Sequence, residues 1–150
     1  MHKFDLSNRT AIITGGAQGF GLDIAKRFLK SGAKVIIWDI DKEELLKASK
    51  TLNNPNLSFN IVDVSTFENV KETVDEITKS SEIDILINNA GITGSTSSLW
   101  DYDVGEWNKI VQINLMGTFN CCKCVIPNMI KNKYGRVVNV ASVAGKDGNA

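Results

Sequence analysis

The chain has 150 residues, 43% of them hydrophobic and 23% charged, which suffices for one buried core and excludes a disordered or low-complexity chain. Seventeen basic residues balance seventeen acidic ones, so no net field draws the protein to nucleic acid or an anionic membrane. No apolar run reaches bilayer length, Met1–Leu6 lacks a signal-peptide core, and Cys121, Cys122 and Cys124 crowd one stretch without partners elsewhere, so a cytoplasmic protein with neither a disulfide framework nor a metal site is expected.

Phe4-Asp5-Leu6 is expected at the base of a sheet whose first strand runs from about Thr10 to Thr14. The stretch Thr14-Gly15-Gly16-Ala17-Gln18-Gly19-Phe20-Gly21 then turns into a helix. Leu22, Ala25 and Leu29 recur there at helical spacing and Gly32 can close it. Val35–Trp38 is a second strand; Asp41 with Glu44 is a capping-box signature ahead of a helix carrying Leu45, Leu46 and Leu52. Leu57, Phe59 and Ile61 alternate with polar residues, whereas the other strands are continuous apolar runs. Alternation fits a half-exposed edge strand and continuity a strand covered on both faces. Ser65 with Glu68 is expected to cap a third helix bearing Val70, Val74 and Ile77, and Ile85–Ile87 is strand four. After a polar loop from Thr93 to about Tyr102, Asp103 with Glu106 opens a long helix with Trp107, Ile110, Val111, Leu115, Phe119, Cys122, Val125 and Met129 on its apolar face. Val137–Val140 is strand five, and a loop from Ser142 to Ala150 follows.

Strands alternating with helices predict one α/β domain over residues 1–150: a Rossmann-type, doubly wound parallel sheet with helices on both faces and strand order 3-2-1-4-5. Ligands of such folds bind at the carboxyl ends of the strands. The glycine stretch lies there. The first N–H groups of the following helix and its dipole point into the loop, where an anionic pyrophosphate fits. Gly15, Gln18, Gly19, Phe20 and Gly21 are therefore candidate cofactor-binding residues, a side chain at Gly19 or Gly21 being expected to stand in the way. A purely structural glycine turn is the other reading. Asp39 ends strand two, about where a carboxylate accepts hydrogen bonds from an adenosine ribose 2′-hydroxyl. Its charge would repel a 2′-phosphate, which predicts NAD over NADP; the alternative is a surface aspartate capping the next helix, for which Asp41 is better placed. The amides of Asn88 and Asn89 can tie neighbouring strand ends, and Gly91 lets a ligand lie against backbone. Asn114 falls on or beside the apolar face of the long helix, where its amide must find partners.

The T-G-x-x-x-G-x-G stretch at 14–21, Asp63-Val64, Asn88-Asn89-Ala90-Gly91, Asn114-Leu115-Met116-Gly117 and Ser142, in this order, resemble the short-chain dehydrogenase/reductase family of the classical type. The resemblance implies hydride transfer between a nicotinamide and a carbon bearing hydroxyl or carbonyl, on a sugar, polyol or 3-oxoacyl substrate. It implies that the Asp63 side chain meets the adenine amino group, that the Val64 backbone meets its ring nitrogen, and that Asn89, Ala90 and Gly91 contact the cofactor. Asn114 and Ser142 become the candidate catalytic residues, Asn114 helping to hold a water in a proton relay and Ser142 bonding the substrate oxygen. A homodimer or homotetramer is implied for the whole subunit.

The family's Tyr-x-x-x-Lys pair does not occur in these 150 residues: Glu106 stands four after Tyr102, Val138 four after Tyr134, and Lys146 has no tyrosine before it. The resemblance therefore implies a sequence truncated before that pair and before strands six and seven. The consequences expected are an unpaired edge at strand five, an uncovered face on the long helix, and for this chain alone adenosine-side NAD affinity without useful turnover. Two other readings stay open, a dinucleotide-binding or regulatory protein without catalysis and a methyltransferase on a related sheet.

Overall fold

The computed structural model describes residues 4–147. Strands β1 (Thr10–Thr14), β2 (Lys34–Asp39), β3 (Leu57–Ile61), β4 (Ile85–Asn88) and β5 (Arg136–Asn139) form one parallel sheet in the order β3-β2-β1-β4-β5. Helices α1 (Gly19–Lys30), α2 (Lys42–Leu52), α3 (Phe67–Thr78), α4 (Val104–Val111), α5 (Gly117–Lys131) and the single turn α6 (Ala144–Asp147) connect or follow them. This is the doubly wound order expected from the alternation.

Successive strand side chains point to opposite faces, so each apolar run feeds two cores. Ala11, Ile13, Val35 and Ile37 pack with Ala25 and Leu29 of α1 and with Leu45 and Ala48 of α2. Ile12, Ile36, Trp38 and Leu86 pack on the other face with Val70 and Val74 of α3 and Val125 and Met129 of α5. α1 ends as expected. Gly32 at φ +90 donates to the Leu29 carbonyl and Ala33 to that of Phe28, a Schellman closure that glycine makes without strain.

Below the sheet, at the amino ends of the strands, Asp84 is 5% exposed and accepts from the Thr10 N–H at 2.9 Å and from the Arg9 guanidinium at 2.8 Å. Arg9 also stacks on Tyr134, 3.6 Å from the ring centroid. A nearly buried carboxylate is tolerable only with such partners. This tie fastens β1 and β4 at the end remote from the ligand side.

Several local expectations are corrected. Leu46 points outward, and Ala48 takes the buried position beside Leu45. Phe4 is exposed, although Leu6 reaches the core and donates to the Ser31 carbonyl. The N-cap of α3 is Thr66 rather than Ser65, whose hydroxyl donates to Asp63. The expected single long helix is α4 and α5 joined by a π-helical turn at Gln112–Met116, an insertion that breaks the i→i−4 ladder around Asn114. Residues 144–147 make a helical turn where a loop was expected.

The two sheet edges differ. β3 is half-exposed, as its alternation predicts. Among the described residues β5 pairs only with β4 and leaves Val137 and Val138 exposed, so its apolar run is not covered on both faces. Trp107, Leu115 and Phe119 on the α4–α5 helix are also exposed, whereas Val125 and Met129 farther along are buried. The three cysteines are free, and burial pushes the Cys121 thiol up to about 12, which keeps it protonated as a small core filler. Among the described residues no helix is long and apolar enough to cross a membrane.

Candidate functional site

The carboxyl ends of β1, β2, β3 and β4 open into a cleft of about 310 Å³. Gly15, Gln18, Asp39, Asp63, Val64, Asn89, Ala90 and Gly91 line it, together with Ile40, Ile92 and Ile113. Eight of the sequence-predicted site residues are thus brought to one cavity from four separate loops.

The floor is a cross-tied pair of loops. Thr14 is buried; its hydroxyl oxygen accepts from the N–H groups of Asn89 and Ala90, both at 3.0 Å, and its hydroxyl donates to the Ile87 carbonyl at 3.4 Å. In return the Asn89 amide donates to the carbonyls of Thr14 and Gly15, both at 3.1 Å. Asn88 makes the matching tie on the other side of β4, donating to Asn139 of β5 at 2.8 Å. The asparagines therefore join strand ends as expected. The glycine loop and the 88–91 loop are thereby cross-tied into one surface.

The glycines have separate jobs. Gly15 and Gly19 both sit at positive φ, +61 and +53. A Cβ at Gly19 would meet no protein atom within 4 Å, so that position faces open space. At Gly21 a Cβ would lie 2.0 Å from the Gly15 carbonyl oxygen and 2.7 Å from the Asn89 amide nitrogen. Gly21 is needed because the loop folds onto it, a constraint set by the protein's own backbone. Gln18 at the start of α1 makes no side-chain cap, so among the described residues the first-turn N–H groups of the helix have no side-chain acceptor. Phe20 is 79% exposed and, like Gly19 and Gly21, is not on the cleft lining.

Asp39 stands across from this turn. One carboxylate oxygen accepts from the Ala17 N–H at 3.3 Å and the other from the Asp41 N–H at 3.2 Å. Asp41 is the cap of α2, accepting from Glu43 and Glu44. Asp39 is therefore held as a fixed negative charge at the cleft rim, with exposed, apolar Ile40 beside it.

Asp63 spends much of its carboxylate on its own loop, accepting from the Ser65 N–H at 2.9 Å and the Ser65 hydroxyl at 2.6 Å. The N–H groups of Asp63, Ser65 and Thr66 all have partners, whereas none is found for the Val64 N–H among the described residues. The loop thus presents a donor and an acceptor side by side.

Asn114 and Ser142 lie outside the cleft lining. Asn114 is exposed rather than set into an apolar face; its amide grips Ile92, accepting from the N–H and donating to the carbonyl, both at 2.9 Å. Its side chain thereby fixes the loop just beyond Gly91. Ser142 is exposed beyond β5, and its hydroxyl oxygen accepts from the Ala144 N–H at 3.2 Å. Glu106 does not return a bond to its helix cap; it accepts from the N–H and hydroxyl of Ser95, at 2.9 and 2.6 Å, and so anchors the loop running from 93 to 102. Among the described residues no group of His, Cys, Asp or Glu is placed to hold a metal ion.

The short chain dehydrogenase family model matches residues 9–150. This chain belongs to that family. Among its relatives, a 2-dehydro-3-deoxy-L-rhamnonate dehydrogenase (NAD(+)) from Sphingomonas sp. (strain SKA58) is 39% identical over 144 residues, covering 95% of this chain and 57% of that protein. A 3-oxoacyl-(acyl-carrier-protein) reductase FabG from Chlamydia trachomatis is 38% identical over 148 residues, covering 96% and 59%. The crystal structure of gox2181 superposes with a TM-score of 0.93 at 36% identity, covering 98% of this chain and 58% of that one. This short-chain dehydrogenase chain therefore spans less than two thirds of the length of these relatives.

Sequence reading missed three contributors to the site. Thr14 was seen only as the residue ahead of the glycines, and its role as a buried staple depends on a loop 75 residues away. Ile40 carries no polar signal. Asn120, 4% exposed on α5, donates to the Val64 carbonyl at 2.9 Å; a buried asparagine on an apolar helix face was the available clue.

Proposed function

We propose that this chain is the cofactor-binding part of an NAD-dependent oxidoreductase that moves a hydride between nicotinamide and a secondary alcohol or ketone. The observation that carries the reading is the placement of the Asp39 carboxylate at the rim of the same cleft that the glycine loop, the 63–64 loop and the 89–91 loop line. Unpaired helix N–H groups beside Gly19 suit a pyrophosphate, and Asp39 suits a pair of ribose hydroxyls. Ile40 and Ile113 offer apolar walls for a flat base, whose edge would meet the Val64 N–H and the Asp63 carboxylate. The relative named as NAD(+)-dependent supports the cofactor choice.

The nicotinamide, when bound, would supply the hydride chemistry. The protein's part is placement and proton handling. Ser142 would bond a substrate oxygen through its hydroxyl hydrogen, since its oxygen is the acceptor for the Ala144 N–H. Asn114, whose amide is engaged with Ile92 and whose carbonyl accepts from the Thr118 hydroxyl at 3.0 Å, would act by holding the loop beyond Gly91 in place. A sugar-derived or 3-oxoacyl substrate fits the names of the relatives. A second reading, a dinucleotide-binding protein without turnover, is favoured by the cleft lining itself, which holds eight candidate cofactor residues and neither Asn114 nor Ser142.

The test is a titration of the chain with NADH and with NADPH. NADH is expected to bind at least about tenfold more tightly, a difference of about 1.4 kcal/mol. Asp39→Asn keeps an acceptor for Ala17 and removes the charge, so the preference should collapse toward unity. Equal affinity for the two cofactors in the unmodified chain would overturn the NAD assignment.

A further inference from the structure

We infer that Asn120 and Gly117 on α5 are positioning residues for adenine recognition, although neither lines the cleft. The inference rests on the dinucleotide reading above and adds residues to it. Val64 is held from two directions by the same helix. Its carbonyl accepts from the Asn120 amide at 2.9 Å, and the Ser65 carbonyl lies within 3.4 Å of the same nitrogen. Its side chain presses onto Gly117, where an added Cβ would stand 2.7 Å from Val64 Cγ2 and 3.2 Å from its Cβ. Asp63 fixes the following peptide by accepting from the Ser65 N–H.

What remains unengaged is the Val64 N–H, beside the Asp63 carboxylate on the cleft lining. Asn120 is 4% exposed, and burying an amide there without its partner carbonyls would be unfavourable, so the contact sets the height of the loop above α5. A helix that faces away from the ligand thus determines where a donor and an acceptor meet a base edge. An error of about 1 Å suffices to lose two aligned hydrogen bonds.

The edge to be read distinguishes this role from simple structural support. Adenine offers an amino donor beside a ring-nitrogen acceptor; hypoxanthine presents a carbonyl acceptor beside an N–H donor, which is the reverse. The experiment compares NADH with its hypoxanthine counterpart on the unmodified 150-residue chain, Asn120→Ala and Gly117→Ala. The unmodified chain should favour NADH by about tenfold or more, and both variants should lose most of that preference by weakening NADH and leaving the hypoxanthine cofactor nearly unchanged. Asn120→Ser, which keeps a shorter donor, should fall between and serves if Asn120→Ala does not fold. Equal weakening of both cofactors, or an unchanged ratio, would overturn the positioning role. Failure of the unmodified chain to bind either cofactor would instead overturn the dinucleotide reading itself.

Discussion

Gly21→Ala should lower stability by about 3 kcal/mol or more, the scale of a core overpacking that cannot relax. The added methyl would meet a backbone carbonyl, that of Gly15, at 2.0 Å and the Asn89 amide at 2.7 Å. Neither neighbour is a flexible side-chain end: one is main chain in a positive-φ turn, the other is tied to two carbonyls. The loop would have to open, taking the 88–91 tie with it. Gly19→Ala is the contrasting variant. Its Cβ meets nothing, so its cost is the positive φ alone, about 1 kcal/mol. Urea unfolding of the three chains measures both effects, and equal losses for the two variants would contradict this division of roles.

Thr14→Val should cost about 2 kcal/mol, because an isosteric side chain leaves two half-buried N–H groups, those of Asn89 and Ala90, without their acceptor. The core volume is preserved, so the loss reports hydrogen bonding rather than packing. Thr14→Ser, which keeps the hydroxyl, should recover most of it. The same change should loosen the cleft floor, and hydrogen exchange at Asn89 and Ala90 should accelerate in Thr14→Val more than in the strands beneath. Unchanged exchange there would mean that Thr14 is a filler.

The strand order was legible because a half-polar alternation in Leu57–Ile61 and continuous apolar runs elsewhere distinguish an edge from a centre. The ends of α1 and α2 were legible too, since Gly32 and Asp41 act on their own backbone within a few residues. Ser65 misled because Asp63 competes for its hydroxyl; Asp103 does cap α4 as expected, accepting from the Glu106 N–H, while the Glu106 side chain turns to Ser95. That the Asn114 amide must find partners could be read from the sequence, but neither its exposure nor Ile92 as the partner, since the π-helical turn at Gln112–Met116 has no local composition signature. Asn120 and Thr14 stayed hidden for a related reason: their partners lie 56 and 75 residues away, at distances no periodicity reports. Eight site residues came together because each ends or follows a strand, and a doubly wound sheet gathers the carboxyl ends of its strands on one side.

On the proposed function, the cleft above Gly15 and Asp39 takes the adenosine half of NAD. A 15N-resolved NMR titration of the chain with NADH tests it most directly. Amide shifts should concentrate at Gly15 to Gly21, at Ile40, at Val64 and at Asn89 to Gly91, with the Val64 N–H moving strongly downfield as it gains an acceptor, while Arg9, Asp84 and Tyr134 at the opposite end stay still. Saturating NADH that leaves Val64 and the glycine loop unmoved, or shifts centred elsewhere, would contradict the account.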